Sequence, residues 1–495
     1  MNHFIKVLLF IVVYLQIIYN TAEASEKKRL KKLIIFQTSD IHSHIEGEKT
    51  GWLNMAEMIK QRRSHSGGES SSLLIDCGDT IPGSLLGEIS HGRAAVSILN
   101  TMHYDAWIPG NHDLEFGLET LTQLSLECSA DIIAANMQSD LKNNFISWKL
   151  YKKNGINIAL IGLTSPHIKE WMWGSKVEHY KIIPTEEAID STMRKILKMR
   201  PDLIILAIHH GRFSPNRLQG FNIRNIADKY PQIDLILGAH SHQEVPGEKC
   251  GISTWYVESG AHAEKFAEIK ITVDLNKKEP VRIESRLISV VKQKKISPEF
   301  TEPLREWRKK SANFAKKVIG TTNKKITSEM SNLNFSPISK LFCSAIKEST
   351  KADFVFHGTV VQSAYLEGEI QEKELFKVIP YEDTICLLRV SPGELKEIIK
   401  EQMQKRKMQH YQSYMGLNIN FDYQDNIILS FSDGSPLKPG KRYLTAFSSY
   451  ALAGAGGRFP ILKKIAMQKN TQGVDLNIKI RDSLRRYIIK HSPLN

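Results

Sequence analysis

Five short segments of this chain carry groups that hold hard or borderline metal ions. They are Asp40-Ile41-His42, Gly78-Asp79, Gly110-Asn111-His112-Asp113, His209-His210-Gly211 and Gly238-Ala239-His240-Ser241-His242. Four of the five directly follow an apolar run: Leu33-Ile34-Ile35-Phe36, Leu73-Leu74-Ile75-Asp76, Leu203-Ile204-Ile205-Leu206 and Leu235-Ile236-Leu237. Such short, apolar runs predict strands buried on both faces. Open α/β sheets place their ligands in loops at the carboxyl ends of strands. The pattern therefore restricts the fold to an α/β class in which one end of the sheet gathers these loops. Gly78, Gly110 and Gly238 let the backbone turn sharply there.

From about Lys32 to Val291 the order of apolar run, loop and amphipathic stretch repeats, with Ile158-Ala159-Leu160-Ile161 as a further strand. Residues 185–199 predict a helix with Ile189, Met193, Ile196 and Leu197 on one face. Glu302 to Lys325 carries eight basic residues against two acidic ones at helical spacing, which predicts a linker helix over 301–330. A second patterned region runs from about Leu333 to Tyr487. It predicts strands at Asp353-Phe354-Val355-Phe356 and Ile385-Cys386-Leu387-Leu388, and a helix from Pro392 to about Gln404 capped by Ser391. A chain of 495 residues exceeds one ordinary core. Two domains are expected, over 30–300 and 331–490.

The first 24 residues differ from the rest. Lys6 precedes an apolar run from Val7 to Tyr19, and Ala22-Glu23-Ala24 has the small-x-small form of a cleavage site, which predicts a signal peptide cut after Ala24. The run is shorter than the roughly 20 residues a span needs. An exported protein, periplasmic or extracellular, with no membrane span after cleavage is expected. Five cysteines cannot all pair within the chain, and Cys77 and Cys386 lie in strand-like runs, so buried thiols are expected. The net charge of +14 survives loss of the leader, which removes Lys6 and Glu23. A basic surface favours anionic ligands. No aromatic-basic stacking motif or DNA-binding signature accompanies it, so nucleic acid is not an expected partner.

Asp40, His42, Asp79, Asn111, His209, His240 and His242 supply two carboxylates, an amide and four imidazoles. Mixed oxygen and nitrogen donors suit Zn, Mn, Fe or Co better than Ca or Mg. Two divalent metal ions a few ångströms apart are the arrangement used for hydrolysis at phosphorus. Asp79 is central in the order and has two oxygens, so it is the natural bridge. In an extended segment side chains alternate, which would point His240 and His242 the same way. His112 follows a ligand without being needed as one, and suits stabilising a departing ester oxygen. His44, His91, His103, His210 and His357 match no ligand position and are read as surface or packing residues.

The order and flanks of these segments resemble the metallophosphoesterase family, and within it the two-domain 5'-nucleotidase and 2',3'-cyclic phosphodiesterase branch. The resemblance implies a four-layer α/β/β/α catalytic sandwich followed by an α/β substrate domain. It implies one metal on Asp40, His42, Asp79 and His242, and the other on Asp79, Asn111, His209 and His240. The family pattern Gly-Asn-His-Glu-x-Asp ends in an acid that orients the histidine, and Glu115 stands in that place. Gly368-Glu369-Ile370 and Val378-Ile379-Pro380-Tyr381 carry the match in the second half.

Two family signatures are altered. The substrate loop Asn-x-Gly-Gly-Ile-Arg is here His357-Gly358-Thr359-Val360-Val361-Gln362. Gln362 thus replaces the phosphate-clamping arginine and cannot give a bidentate guanidinium contact. The aromatic followed by Gly-Gly-Asp-Gly-aromatic is read as Tyr450 to Phe459, with Gly456 at the aspartate position. Tyr450 and Phe459 could either stack a flat ring or serve the core, and Arg458 offers a positive charge from another direction. The resemblance implies hydrolysis of a small anionic phosphoester, nucleotides included. Two other functions share the plan. Thiosulfohydrolases cleave a sulfonate-like group from a partner protein. A binding protein on a retired enzyme fold would be expected to lose ligands, and all seven are present here.

Overall fold

The computed structural model describes residues 29–494 apart from 48, 175–178, 213–221, 330–334, 405–411 and 425, so the leader lies outside the described residues. Two six-stranded sheets make up the first half. One runs in the order Glu279–Ser289, Lys265–Asp274, Leu30–Thr38, Ser72–Asp76, Ala106–Trp107, Asp131–Ile132. The other runs Glu244–Cys250, Thr254–Ser259, Leu235–Gly238, Leu203–Ile208, Ile156–Leu163, Trp148–Lys153.

Alternation along each strand builds three apolar layers. Leu33, Ile35, Leu73 and Ile75 meet Leu203, Ile205, Leu235 and Leu237 in one core between the sheets. Their neighbours Phe36 and Leu74 face outward onto the helices Trp52–His65, Arg93–Thr101 and Leu118–Glu127. On the second sheet Ile204, Leu206 and Ile236 face the helices Thr185–Met199 and Ile223–Lys229. The result is the four-layer α/β/β/α sandwich. Helix 185–199 buries Ile189, Met193 and Ile196, but Leu197 is 47% exposed and leaves the predicted face. The buried stripe passes instead through Ala188 and Thr192.

The basic segment 302–325 is helical only in its first part, from Arg305 to Ala315. Val318–Thr327 is a strand paired with Tyr365–Gln371. Its β-branched residues Val318, Ile319, Thr321, Thr322, Ile326 and Thr327 favour that outcome over a longer linker helix. The second half holds a five-stranded sheet in the order Gln412–Met415, Phe354–Gly358, Tyr443–Ser448, Thr384–Val390, Val474–Lys479. Helices Pro337–Thr350 and Ile480–His491 cover one face, and Pro392–Met403 and Pro460–Ala466 the other. Ser391 caps Pro392–Met403 in a reciprocal box with Glu394, a feature typically worth about 1 kcal/mol. All five cysteines are free thiols, and Cys77, Cys250, Cys343 and Cys386 are buried. Among the described residues no helix is long and apolar enough to cross a membrane.

Candidate metal centre

The five loops meet at the carboxyl ends of parallel strands from both sheets. Asp40 and His42 follow Leu30–Thr38, Asp79 follows Ser72–Asp76, and Asn111 and His112 follow Ala106–Trp107. His209 follows Leu203–Ile208, and His240 and His242 follow Leu235–Gly238. Ala106–Trp107 is only two residues long, too short to register as an apolar run.

Donor atoms of Asp40, His42 and Asp79 lie within 4.8 Å of one another, as do those of Asp79, His209 and His240. Asp79 belongs to both groups. Its Oδ1 accepts from the His112 amide at 2.7 Å. That leaves Oδ2 3.1 Å from His209 Nε2 and 4.0 Å from His42 Nε2. His242 Nε2 lies 3.2 Å from His42 Nε2 and 3.6 Å from Asp40 Oδ1.

The chemistry of this set fits divalent cations. Asn111 Oδ1 is buried without a hydrogen-bond partner, and His209 Nε2 faces only the Asp79 carboxylate, 3.1 Å away. Such groups cost about 1–3 kcal/mol each if nothing else satisfies them. His209 Nδ1 donates to the Cys77 carbonyl at 2.7 Å. A carbonyl only accepts, so Nδ1 carries a proton and Nε2 is the nitrogen turned toward Asp79, the orientation of a metal-ligating histidine. Burial holds His42 and His240 well below the ordinary imidazole value, which keeps them neutral and able to donate a lone pair.

The loop backbones are unusual. Asp40 (φ 51°), His42 (48°), Asp79 (54°), His240 (72°) and His242 (57°) all sit in the left-handed region. Away from helix ends and tight turns, non-glycine residues are seldom held there unless the surroundings impose it. The segment 240–242 is therefore not extended, and His240 and His242 reach different groups, the first with Asp79 and His209 and the second with His42. Asp113 bolts two of the loops together. Its Oδ2 accepts from the amides of Asp79 (2.9 Å) and Gly110 (2.8 Å), and its Oδ1 from Thr80 (2.8 Å) and Ile81 (2.9 Å). At Gly110 a Cβ would stand 2.2 Å from Asp79 Oδ1, so only glycine fits.

His112 Nδ1 is hydrogen-bonded to Glu115 Oε1. Burial pulls the His112 imidazolium down, but the Asp79 and Glu115 carboxylates outweigh it and push the group up to about 9. The Asp79 share of that pull comes from a carboxylate that also faces both donor groups, so Glu115 is the partner specific to His112. Tyr381, from the second half, covers the pair, its ring centroid 4.7 Å from that of His112 and 5.3 Å from that of His42.

The expected substrate residues are placed less uniformly. Gln362 lies in an exposed turn between Phe354–Gly358 and Tyr365–Gln371. Tyr450 is half-buried, and its hydroxyl accepts from Arg458 Nη1. Phe459 is a correction. It is 2% exposed and packs with Leu452 and Leu462, so it serves the core and has no open face to stack a ring. At Gly456 (φ 64°) a Cβ would stand 2.6 Å from Trp171 Nε1, and the Gly456 amide donates to the Glu170 carbonyl at 2.9 Å. Trp171 in turn lies against His240, with ring centroids 4.6 Å apart. An indole thus fills the space beside position 456.

Sequence reasoning missed Asp113, Trp171, Tyr381 and His262. Asp113 was visible next to His112, but nothing local showed its four amides. Tyr381 reaches the site from the second half, and Trp171 from a segment about seventy residues before His240 in the first, so neither leaves a local pattern. His262 approaches His42 and His242, with donor atoms within 4.8 Å.

Residues 33–244 match the family model of calcineurin-like phosphoesterases, and residues 318–464 that of the 5'-nucleotidase C-terminal domain. Protein UshA of Yersinia enterocolitica is 25% identical over 532 residues, covering 96% of this chain and 94% of that protein. A 5'-nucleotidase of Vibrio cholerae is 24% identical, covering 96% and 93%. A solved Staphylococcus aureus structure superposes with a TM-score of 0.79 at 18% identity, covering 94% of this chain and 98% of that one. Both domain types occur here in the same order, on one chain, with the five candidate loops gathered at one end of the sandwich. The chain belongs to the two-domain 5'-nucleotidase family of metallophosphoesterases, enzymes that hydrolyse phosphoric esters.

Proposed function

We propose that this protein is an exported phosphoester hydrolase that works with two divalent cations, one at Asp40, His42, Asp79 and His242, the other at Asp79, Asn111, His209 and His240. The observation that carries this reading is Asp79. Its Oδ2 lies between His42 and His209 while Oδ1 is held by the His112 amide. When bound, such a pair supplies Lewis-acid activation of water and neutralises charge on the phosphoryl group. Export rests on the apolar leader and its Ala22-Glu23-Ala24 site.

The chain's own residues supply the rest. Glu115 fixes His112 through Nδ1, which leaves Nε2 to give a proton or hydrogen bond to the departing oxygen. Asp113 keeps the Asp79 and Asn111 loops in register. Tyr381 and Trp171 narrow the approach and limit water. The substrate is a small anionic phosphoester of the nucleotide class or a simpler relative. Gln362 offers no charge, and Trp171 stands where a side chain at 456 would go. A charge-assisted contact is worth about 1.5–3 kcal/mol against roughly 0.5–1.5 for a neutral one. AMP is therefore expected to bind about tenfold or more weakly than with an arginine clamp.

A release screen tests this. Metal-loaded protein is offered nucleotides, cyclic nucleotides, nucleotide sugars and simple phosphomonoesters, with phosphate and sulfate measured in parallel. Phosphate release with AMP well below the best substrate is expected. AMP hydrolysed as efficiently as any other overturns the narrowed pocket. Sulfate release without phosphate release from any compound overturns the phosphoesterase reading.

A further inference from the structure

His262 belongs to none of the five ligand segments, yet it stands at the metal centre. Its donor atom lies within 4.8 Å of those of His42 and His242. The three rings enclose a common point, with centroid separations of 5.2 Å (His42–His242), 5.6 Å (His42–His262) and 5.3 Å (His242–His262). Two ligands at Zn–N distances of about 2.0–2.1 Å are separated by at most about 4.2 Å, so a small ring adjustment closes the set.

Two further features hold His262 in this place. Its backbone amide donates to the Asp40 carbonyl at 2.8 Å, which ties its loop to the first ligand loop. His44 packs on its other side, ring centroids 4.3 Å apart, with His44 Nδ1 held by the Ile41 carbonyl at 3.0 Å. The backbone carries the same signature as the ligand loops. His262 (φ 57°) and Ala263 (φ 54°) are consecutive left-handed residues in a loop directly after the strand Thr254–Ser259. Strain of this kind persists where the surrounding structure over-determines it. His91 and His103 are also left-handed, but both follow helix ends, where that conformation is ordinary.

We propose that His262 is a metal ligand, completing a three-imidazole set with His42 and His242 that biases the Asp40 position toward zinc over manganese. With Asp40 and Asp79 that position offers three nitrogens and two oxygens. The other position offers two nitrogens, from His209 and His240, and two oxygens, from Asp79 and Asn111. Imidazole suits zinc, whereas carboxylate and carbonyl oxygens suit manganese. The two positions are thereby unequal, and a mixed pair of ions is the expected occupancy. This rests on the two-cation reading above.

The test counts metal rather than turnover. Protein stripped with chelator is reloaded with equal zinc and manganese, and both are measured by mass spectrometry. The visible spectrum of the cobalt-loaded form reports the ligand field. Wild type is expected to retain two ions, at least one of them zinc. His262→Ala should lower zinc affinity at one position by about 10–100-fold, the range for losing a supporting group at a metal site, and should change the cobalt spectrum. His262→Gln restores an oxygen donor, so occupancy should recover with the zinc-to-manganese ratio shifted toward manganese. Wild-type affinities, ratio and cobalt spectrum in both variants overturn the proposal. Fewer than two ions bound by wild type at saturation overturns the two-cation reading on which it stands.

Discussion

Asp79 is fixed at three points: its amide on Asp113, its Oδ1 on the His112 amide, and its Oδ2 between His209 and His42. Asp79→Ala removes the only group common to both donor sets and should empty both positions. The check is metal counted after purification. Two ions at full occupancy in that variant remove Asp79 from the bridge. His112 is a different case, since the proposed mechanism has it act on the reacting group. His112→Ala should lower kcat by about 10²–10⁴-fold with metal content near wild type, as expected of an interaction made in the transition state. Glu115→Gln keeps an oxygen that accepts from Nδ1 and should cost less. A kcat–pH profile of Glu115→Gln identical to wild type would make Glu115 a bystander. The His112–Glu115 contact was legible because it is local: a histidine and an acid three positions on. His262 was not, because a single histidine after a strand carries no signal until the loops are brought together.

At the scale of elements a repeated device sets the register of the parallel strands. Asp105 accepts from the Leu74 amide at 2.9 Å, Asp202 from Asn157 at 2.8 Å, and Asp234 from Ile204 at 2.8 Å. In the second half Asp353 accepts from Leu444 at 2.9 Å. Each aspartate stands just before a strand and binds the neighbouring parallel strand near its start. A one-residue slip would break that bond and turn every apolar side chain to the wrong layer. The apolar runs themselves were legible, and so was the Ser391 cap. The two-residue strand Ala106–Trp107 and the exposure of Leu197 were not, because both depend on what packs alongside. Asp234 gives this device a pH dependence. Burial, opposed by its bond from Ile204, raises its carboxyl from 3.8 to about 6. A folded-state value above the unfolded one means that the native state binds the proton more tightly. That stability is fully present below about pH 4 and is lost as pH rises through about 6. Its size is roughly 1–2 kcal/mol after allowing for partial exposure. Asp234→Asn keeps an acceptor for Ile204 but cannot ionise. Melting curves should show the wild type losing stability over this window while the variant stays flatter. Parallel profiles would assign the pH dependence to other groups.

Across the whole molecule the two halves meet around the metal centre, and charge draws them together. Lys479 pairs with Glu88 at 2.6 Å, Arg481 lies 3.7 Å from the same carboxylate, and Lys463 pairs with Glu170 at 2.7 Å. In each case the cation belongs to the second half and the acid to the first. Arg481 is also locked within its own half, 2.8 Å from Glu382 and with its guanidinium 3.9 Å from the Phe376 ring centroid. None of this was readable from the sequence, where a basic chain shows only an excess of lysine and arginine and not which of them face an acid across a cleft. The arrangement matters for function because Tyr381 reaches His112 only when the halves are together. Glu88 and Lys479 keep 20% and 34% side-chain exposure, and Glu170 and Lys463 keep 28% and 23%, so these pairs are open to screening. At about 1 M salt the Debye length falls to roughly 3 Å, and each exposed pair is then worth little of its already modest 0–1 kcal/mol or so. Raising salt should therefore enlarge the radius of gyration seen by small-angle scattering. Glu88→Gln should show the larger radius already at low salt, since it releases Lys479 and Arg481 together. The same variant should raise KM more than it lowers kcat, because it touches neither the donor set nor His112. A radius that is insensitive to both salt and Glu88→Gln would mean that apolar packing, such as Trp173 against the second-half core, holds the halves together without help from charge.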